Sequence, residues 1–299
     1  MIDHPAVSTG VPLGPMTTYK VGGPAAFFAE PADVSELRDV LGAVESGTEI
    51  FVLGRGSNVV IADAGIDGLV IRLGRSFQDA AVSPDGSIVA GGGMPLPKLA
   101  RFAADAGRDG LGFYVGIPGS VGGAVRMNAG GHGSDTAQVL DHAVVLDAAT
   151  AEMVRLTPTD LALSYRHSDL TDTDIVVQAT FTTTPGDITT LENEVRTITR
   201  WRKDHQPGGT LNAGSVFKNP SGDHAGAIID RLGLKGERVG AVAVSEVHAN
   251  FMVASSDATA SDIFRFVHRI KDIVSQETGI DLEPEIRFLG DFDSVGETL

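Results

Sequence analysis

Cysteine is absent from all 299 positions of the sequence. Disulfide bonds, thiolate nucleophiles, zinc sites built on cysteine and cofactors attached through sulfur are therefore excluded. Long apolar runs are absent too, since none approaches the roughly 20 residues that a membrane-spanning helix needs. Residues 1–10 lack a basic segment followed by an apolar core. We therefore expect no signal peptide, no membrane partner and a cytoplasmic location.

Positive charge is scarce along the chain. There are 23 Lys and Arg against 39 Asp and Glu, which gives a net charge of −16. Proteins that bind nucleic acids present a basic surface, so we expect no nucleic-acid partner. An anionic nucleotide would need a locally positive site, and each basic residue near a glycine-rich loop is therefore informative.

Apolar residues recur with helical spacing in some segments and form short strand-like runs in others. Helices are predicted over residues 31–47, 96–107, 188–201 and 261–278. Strands are predicted over residues 50–53, 69–73, 87–90, 143–147, 174–182 and 285–289. The elements are mixed, without a long βαβ series, which indicates an α+β fold.

The main domain boundary is predicted near residue 200, because the helix over 188–201 ends before a Gln-Pro-Gly-Gly turn. Residues 1–200 would form a first domain with two α+β subdomains, about 1–75 and 76–200. Residues 201–299 would form a smaller second domain that contains the C-terminal strand. The acidic tail, 291–299, is expected to be loose because nothing in its pattern ties it down.

Two glycine-rich segments dominate the sequence. The first, 53–60, follows a predicted strand and contains Gly54, Arg55, Gly56, Ser57 and Asn58. The second, 116–131, contains Gly116, Pro118, Gly119, Ser120, Gly122, Gly123 and Ala124. Glycine lets backbone N–H groups approach an anion closely, and successive N–H groups can form an anion-binding concavity. Hydrogen bonds to such an anion could be added by Ser57, Asn58, Ser120 and Asn128.

Neither glycine segment has the spacing of a Rossmann fingerprint or of a P-loop. A tight turn would explain a single cluster equally well. Two long clusters that also carry Ser and Asn favour pyrophosphate binding over two structural turns.

The two segments resemble the FAD-binding loops of the UDP-N-acetylenolpyruvoylglucosamine reductase family. Residues 17–25 are similar to that family's opening segment, and the resemblance runs from about Thr17 to Gly290. It implies an α+β FAD-binding domain of the vanillyl-alcohol-oxidase type, followed by a smaller α+β substrate domain. It also implies non-covalent FAD, held by the glycine segments at 54–58 and 116–124, and no metal.

Three further segments, 164–168, 212–220 and 282–288, resemble the reductase itself and not only its FAD domain. They imply that Ser215 is the proton donor and that Arg166 and Glu285 are its catalytic partners. The resemblance further implies NADPH as hydride donor and UDP-N-acetylglucosamine enolpyruvate as substrate. The product would be UDP-N-acetylmuramate, a precursor of peptidoglycan. We expect these small molecules to be the partners of a monomer.

The chemistry of this reaction accounts for the residue types. Hydride addition to the enolpyruvyl methylene carbon spreads negative charge into the carboxylate, and a guanidinium such as Arg166 can stabilise it. The adjacent carbon must then be protonated. A serine hydroxyl is a weak acid, so Ser215 would need a cationic environment, for which Lys218 is one candidate. Glu285 would orient the substrate, or serve as the acid if burial raises its pKa.

Substrate binding is predicted for five residues: Tyr165, Lys203, His205, Lys218 and Asn219. The resemblance implies that Asn219 and a lysine upstream of Pro207 contact the diphosphate. His205 stands two positions before Pro207, where a lysine is usual, so Lys203, His205 and Lys218 remain alternatives. No tyrosine follows Tyr165, and the tyrosine-bearing lid of one subclass is therefore expected to be absent.

Two other functions fit parts of the sequence. An oxidase or dehydrogenase of the same FAD superfamily would act on an alcohol or a sugar, and a covalent flavin on His132 would favour it. A non-catalytic nucleotide- or sugar-binding protein would keep the glycine segments without needing a reactive set. Each of Ser215, Arg166 and Glu285 alone is typical of a turn or a surface ion pair. Their joint presence favours the reductase.

Overall fold

The structure, a computed structural model, describes residues 2–295 and divides into two compact units. The first unit comprises Met1–Thr9, Phe27–Arg55 and Gly68–Arg202. The second comprises Gly10–Ala26, Gly56–Asp67 and Lys203–Leu299. Both units are therefore built from separate stretches of chain.

Strands and helices are intermixed along the described residues. In chain order the strands are β1 (Val7–Pro12), β2 (Pro24–Ala29), β3 (Ile50–Val52), β4 (Val59–Ile61), β5 (Ile66–Ile71), β6 (Ala80–Val82), β7 (Ile88–Gly91), β8 (Arg108–Asp109), β9 (Gly130–Gly131), β10 (Ser134–Asp135), β11 (Leu140–Asp147), β12 (Met153–Leu156), β13 (Asp174–Phe181), β14 (Thr184–Pro185), β15 (Arg238–Val239), β16 (Val242–Val244), β17 (Met252–Ala254) and β18 (Arg287–Leu289). The α-helices are α1 (Val34–Gly42), α2 (Leu96–Asp105), α3 (Val121–Arg126), α4 (Thr136–Val139), α5 (Ile188–His205), α6 (Ala225–Arg231) and α7 (Ala260–Thr278). Short 3-10 helices lie at Gly14–Met16, Arg75–Gln78, Gly112–Gly116 and Asp293–Val295.

The first unit contains an antiparallel five-stranded sheet in the order β12-β11-β13-β7-β6. Strand β13, one of its two long strands, is rich in β-branched residues, which pack well on a pleated surface. Helix α2 buries one face, with Leu96, Leu99 and Ala103 at helical spacing, as its sequence predicts. A four-stranded sheet, β1-β2-β5-β3, has β3 parallel to β5.

The second unit is organised around α7. Thr259 and Asp262 form a capping box at its N-terminus, and Gly279 follows its last turn. Capping satisfies backbone N–H groups that the helix cannot bond internally. The buried face of α7 belongs to one apolar cluster with residues from α6, β16 and β17.

The second unit also takes in two N-terminal stretches that the sequence-based boundary at residue 200 assigns to the first domain. Strand β4 pairs in parallel with β18, with Val59 opposite Arg287. Tyr19 is fully buried in the apolar cluster of this unit, and its hydroxyl donates to the Met252 carbonyl at 3.0 Å. The compact units therefore differ from the predicted domains, because pairing between distant strands leaves no local signal.

The C-terminal tail differs from its expected looseness in the part that the structure describes. Phe292 is buried and stacks on Phe264 of α7, with ring centroids 4.9 Å apart. The Arg265 guanidinium donates to the Val295 carbonyl at 3.1 Å. The remainder of the predicted loose tail, 296–299, lies outside the described residues. Across 2–295, no helix is both long and apolar enough to cross a membrane.

Replacement of Tyr19 by phenylalanine tests how the N-terminal stretch is held. Tyr19→Phe removes the bond to Met252 and should lower the free energy of unfolding by about 0.5–1.5 kcal/mol near neutral pH. Urea unfolding measures the difference. Tyr165→Phe is the control, because the Tyr165 side chain is exposed. Equal stability of wild type and Tyr19→Phe would contradict the assigned bond.

Alkaline pH provides a second measurement on the same variant. Burial raises the pKa of the Tyr19 phenol above its ordinary value, which is about 10. Below that pH the phenol is neutral in the folded and the unfolded chain. Above it the unfolded chain ionises first, so stability falls as pH rises, and Tyr19→Phe should reduce this fall. Burial also raises the pKa of Tyr114, so part of the fall should remain.

Candidate active site

The two glycine segments meet in the first unit through Gly54 and Ser120. A β-carbon added at Gly54 would lie 2.7 Å from the Ser120 hydroxyl oxygen. Ser120 is buried and caps α3, since its hydroxyl oxygen accepts from the Gly123 N–H at 3.4 Å. The two segments, both predicted to bind the cofactor, are therefore in contact at this point.

Gly122 and Gly123 differ in what surrounds them. A β-carbon at Gly122 would meet the Gly92 carbonyl at 3.2 Å, so helix packing alone explains that glycine. Gly123 is exposed, and a β-carbon there would meet only the Ser120 hydroxyl, at 3.5 Å. The protein itself leaves room for a side chain at Gly123. An exposed glycine beside open space lets an anionic cofactor approach the backbone closely.

The rest of the first glycine segment, Gly56 to Asn58, belongs to the second unit. Gly56 has φ +62° and passes so close to the Met16 carbonyl that a β-carbon would lie 2.3 Å from it. The Asn58 side chain donates to the Glu285 carbonyl at 3.0 Å, and the Arg287 N–H donates to the Asn58 carbonyl at 2.9 Å. Asn58, a predicted cofactor residue, is therefore hydrogen-bonded to the segment that contains Glu285, a predicted catalytic residue.

Ser215 and Glu285 come together in the second unit through the peptide groups of Val216. The Val216 carbonyl accepts from the Glu285 N–H at 2.7 Å, and the Val216 N–H donates to the Asn250 carbonyl at 2.8 Å. Ser215 is half-buried and pairs with Phe251 in an isolated antiparallel bridge. Among residues 2–295, the Ser215 hydroxyl makes no hydrogen bond, which leaves its proton available to a ligand.

The candidate diphosphate contacts occupy different electrostatic surroundings. The Lys218 ammonium forms an ion pair with Glu283 at 2.6 Å. Lys203 is exposed and makes no ion pair within the described residues. His205 is also exposed, and the Asn219 side-chain carbonyl accepts from the Ala225 N–H at 3.1 Å. Lys203 therefore presents an uncompensated charge, whereas Glu283 partly neutralises Lys218.

Arg166 occupies a tight turn in the first unit. Ser164 and His167 are bridged by two backbone hydrogen bonds, of 3.2 and 3.1 Å, so the turn spans 164–167. Arg166 has φ +54°, and a non-glycine residue in this region costs roughly 1–2 kcal/mol. Its guanidinium donates to the Gly130 carbonyl at 3.1 Å and lies 5.1 Å from the ring centroid of Tyr165, whose side chain is exposed.

Such strain in a well-fastened turn is a feature of functional sites. The sequence identifies Arg166 but does not reveal that it occupies a strained turn. It also assigns Asn128 to anion binding. In the structure the Asn128 amide instead donates to the Ser164 carbonyl at 2.8 Å and accepts from the Ala137 N–H at 2.8 Å.

His132, the residue that a covalent flavin would use in the oxidase hypothesis, packs against the end of α5. Its ring meets Trp201 edge-on, with centroids 5.1 Å apart. Burial, and then the charge of Arg202, hold the pKa of His132 below its ordinary value. Within residues 2–295, no group of three or more histidine or carboxylate side chains is arranged to hold a metal ion.

Comparison with known proteins first identifies the class of protein to which the chain belongs. The sequence model of an FAD binding domain family matches residues 25–157, which makes the chain a flavoprotein with the predicted kind of cofactor domain. The model of the UDP-N-acetylenolpyruvoylglucosamine reductase C-terminal domain matches residues 206–289. The chain belongs to the UDP-N-acetylenolpyruvoylglucosamine reductase family.

Whole-chain relatives support this membership. The chain is 44% identical to UDP-N-acetylenolpyruvoylglucosamine reductase 2 of Symbiobacterium thermophilum, over 93% of this chain and 91% of that protein. It is 42% identical to the reductase of Rubrobacter xylanophilus, over 96% of each chain. The crystal structure of UDP-N-acetylenolpyruvylglucosamine reductase from Thermus caldophilus superposes with a TM-score of 0.81 at 33% identity, over 95% of this chain and 98% of that one. The predicted family and fold class are confirmed.

Gly123 offers a test of cofactor contact that does not disturb packing. Gly123→Ala should fold normally, because the added methyl group has room. It should weaken FAD binding, since a methyl group forced against a close-fitting ligand costs about 1–3 kcal/mol, or roughly five- to 150-fold in Kd. Flavin absorbance per chain and titration of the apoprotein with FAD measure the loss.

Gly42→Ala is the matched control, because a β-carbon at Gly42 of α1 meets nothing within 4 Å. It should retain both melting temperature and FAD. Wild-type affinity for FAD in Gly123→Ala would show that the backbone at this position does not contact the cofactor.

Proposed function

We propose that this chain reduces UDP-N-acetylglucosamine enolpyruvate to UDP-N-acetylmuramate with FAD and NADPH, a cytoplasmic step in bacterial peptidoglycan precursor synthesis. Family membership over nearly the whole chain supports the reaction. One geometric observation carries the assignment of roles: Ser215 and Glu285 are held by the peptide groups of one residue, Val216. A proton donor and a carboxylate placed in this way suit a reaction that ends with protonation of carbon.

The residues of the glycine segments fit the cofactor. In the first unit, Gly54, Arg55 and the segment from Gly116 to Ala124 would hold FAD. Gly56, Ser57 and Asn58, the remaining predicted cofactor residues, belong to the second unit. When bound, FAD supplies a hydride acceptor for NADPH and a hydride donor for the enolpyruvyl group. The exposed Gly123 and the buried, helix-capping Ser120 are the observations that support this binding role.

Ser215 is the proposed proton donor. Its hydroxyl makes no hydrogen bond within the described residues, and its main chain is fixed through the next residue, Val216. A hydroxyl at a fixed position can deliver a proton to one face of the substrate carbon. Positioned acid catalysis of this kind typically contributes 10²–10⁴-fold.

Arg166 is the proposed electrostatic partner. A guanidinium has five N–H donors in a rigid fork, and the bond to Gly130 orients this one. Negative charge develops on the substrate carboxylate as hydride adds. Preorganised donors stabilise such charge without reorganising during the reaction. The tight turn would hold the Arg166 guanidinium preorganised in this way.

Glu285 is the proposed orienting group. Its N–H and its carbonyl are both bonded within the second unit, to Val216 and to Asn58. The side chain is half-buried, so it can bind a substrate hydroxyl or amide. For the substrate diphosphate we assign Lys203, Lys218, His205 and Asn219 as candidate contacts. Tyr165, within the Arg166 turn, is a further candidate for substrate binding.

Separate measurement of the two half-reactions tests the role of Ser215. Ser215→Ala should leave NADPH-driven flavin reduction nearly intact, because that step requires no proton on carbon. Reoxidation of reduced flavin by the enolpyruvyl substrate should slow by at least about 100-fold. Anaerobic stopped-flow absorbance follows both steps. Ser215→Cys should recover part of the rate, since a thiol is a stronger acid of similar size.

Equal slowing of both half-reactions would assign Ser215 to folding or positioning. Normal reoxidation in Ser215→Ala would make Glu285 the acid. Glu285→Gln, which keeps the shape but removes the proton, would then show the selective loss.

The ion pair between Lys218 and Glu283 gives a test of diphosphate binding. Glu283→Gln removes a carboxylate that competes with phosphate for Lys218. It should tighten substrate binding by about 0.3–1 kcal/mol, roughly two- to fivefold in Kd. Lys218→Ala should weaken binding, and Glu283→Gln should then add nothing. Calorimetric titration at fixed ionic strength measures each Kd.

Glu152→Gln is the control for the change in net charge, because Glu152 is exposed in the first unit. An equal gain from Glu152→Gln would mean that only overall charge matters. If Lys218→Ala binds like wild type and Lys203→Ala does not, the diphosphate contact belongs to Lys203.

A further inference from the structure

Asn128 and Asn250 are the only asparagines within residues 2–295 that are buried, with 2% and 3% exposure. An amide taken out of water costs about 1–3 kcal/mol if its donor and acceptor are left without partners. In both side chains the oxygen accepts from a main-chain N–H and the amide nitrogen donates to a main-chain carbonyl instead. One lies in each unit.

Asn250 forms hydrogen bonds to the main chain of the two residues that follow Ser215. Its side-chain oxygen accepts from the Phe217 N–H at 3.0 Å, and its amide nitrogen donates to the Phe217 carbonyl at 2.8 Å. Its own carbonyl accepts from Val216. Phe217 lies outside the named strands and is bridged only to Pro284. The Asn250 side chain therefore makes the hydrogen bonds to Phe217 that a neighbouring strand would make in a sheet.

Asn128 holds the turn of Arg166 through its amide nitrogen alone. Its amide nitrogen donates to the Ser164 carbonyl at 2.8 Å, and its oxygen accepts from the Ala137 N–H at 2.8 Å. Asn128 has φ +39°, so its own backbone is strained. The carbonyl that it holds belongs to the first residue of the tight turn, which in turn fixes Arg166.

We propose that Asn250 and Asn128 are positioning residues for Ser215 and Arg166 respectively. The inference rests on the proposed function, because it takes the roles of those two residues from it. Each asparagine holds the main chain within two residues of its reactive partner, through one donor bond to a carbonyl. Small displacements of such groups, of about 1 Å, can reduce a rate roughly 100-fold.

Substitution by aspartate isolates the donor bond. Asn250→Asp and Asn128→Asp keep size and the accepting oxygen, but set an ionised oxygen against the carbonyl of Phe217 or Ser164. We expect flavin reoxidation by the enolpyruvyl substrate to slow about 10- to 100-fold near pH 8. NADPH-driven flavin reduction and FAD content should stay within about twofold of wild type. Asn193→Asp, at an exposed position of α5, is the matched control.

The pH profile separates positioning from general destabilisation. Burial raises the pKa of a carboxyl group, and the protonated group can donate to the carbonyl that the asparagine held. Reoxidation by the aspartate variants should therefore recover towards wild type as pH falls to about 5.5. Asn250→Ala and Asn128→Ala cannot donate and should show no such recovery. Recovery in the alanine variants, or none in the aspartate variants, would overturn the proposal.

Double substitutions assign each asparagine to its partner. Asn250→Asp should add less than about twofold to the loss in Ser215→Ala, but multiply with the loss in Arg166→Lys. Asn128→Asp should show the opposite pattern. Where an aspartate variant does not fold, Asn→Gln at the same position keeps the amide, displaces the held carbonyl, and should give the same pairing.

Losses that multiply in all four combinations, or that affect both half-reactions equally, would make the asparagines structural only. The single variants distinguish this failure from failure of the proposed function. If Ser215→Ala and Arg166→Lys themselves spare the reoxidation by substrate, the assigned roles are wrong whatever the asparagine variants show.

Discussion

The hydrogen bonds on the two peptide groups of Val216 are the constraint on which the second unit's part of the site depends. The N–H bonds to Asn250, and the carbonyl accepts from Glu285. Asn58, in turn, bonds to the carbonyl of Glu285. Four stretches of chain are thereby fixed in one hydrogen-bonded series, and each contributes a residue of the candidate site or a residue that holds one. The two bonds of Val216 join main chain to main chain. Such bonds set positions more firmly than flexible side-chain contacts do, because fewer rotatable bonds intervene.

In the first unit, a candidate catalytic residue is held in a strained backbone conformation. Arg166 stands in a left-handed backbone conformation that would relax if the turn were loose. Two bonds hold the segment to the end of α3 and the residues just after it. One runs from Asn128 to Ser164, and the other from the Ser168 hydroxyl to the Arg126 carbonyl at 2.7 Å. Net charge adds a second constraint. A chain with a net charge of −16 depends on a few local cations to bind anionic ligands. One of these cations, Lys218, already forms an ion pair with Glu283.

The sequence predicts local features of this protein well and long-range ones poorly. The helical spacing around Leu96 and Ile263 marks α2 and α7 correctly, because amphipathic periodicity is written into adjacent turns. The glycine segments are conspicuous because their composition is distinctive. The roles of Ser215, Arg166 and Glu285 follow only from the family resemblance and stay predictions. The parallel pairing of β4 with β18 is missed, since neither strand carries information about its partner. The role of Asn128 is missed for the same reason, because its partner lies 36 positions away.

The discontinuous second unit has a consequence for synthesis on the ribosome. Tyr19 leaves the ribosome early, yet its hydroxyl partner, Met252, is 233 positions further along the chain. The partner of Asn58, Glu285, is 227 positions further along the chain. Closing loops of this length is slow, and the N-terminal apolar stretches stay without their core until translation is almost complete. During that interval the nascent chain exposes hydrophobic surface, which is the state that chaperones bind. The family's C-terminal segment, 206–289, likewise takes part of its apolar core from outside its own bounds, including Tyr19 and Val60.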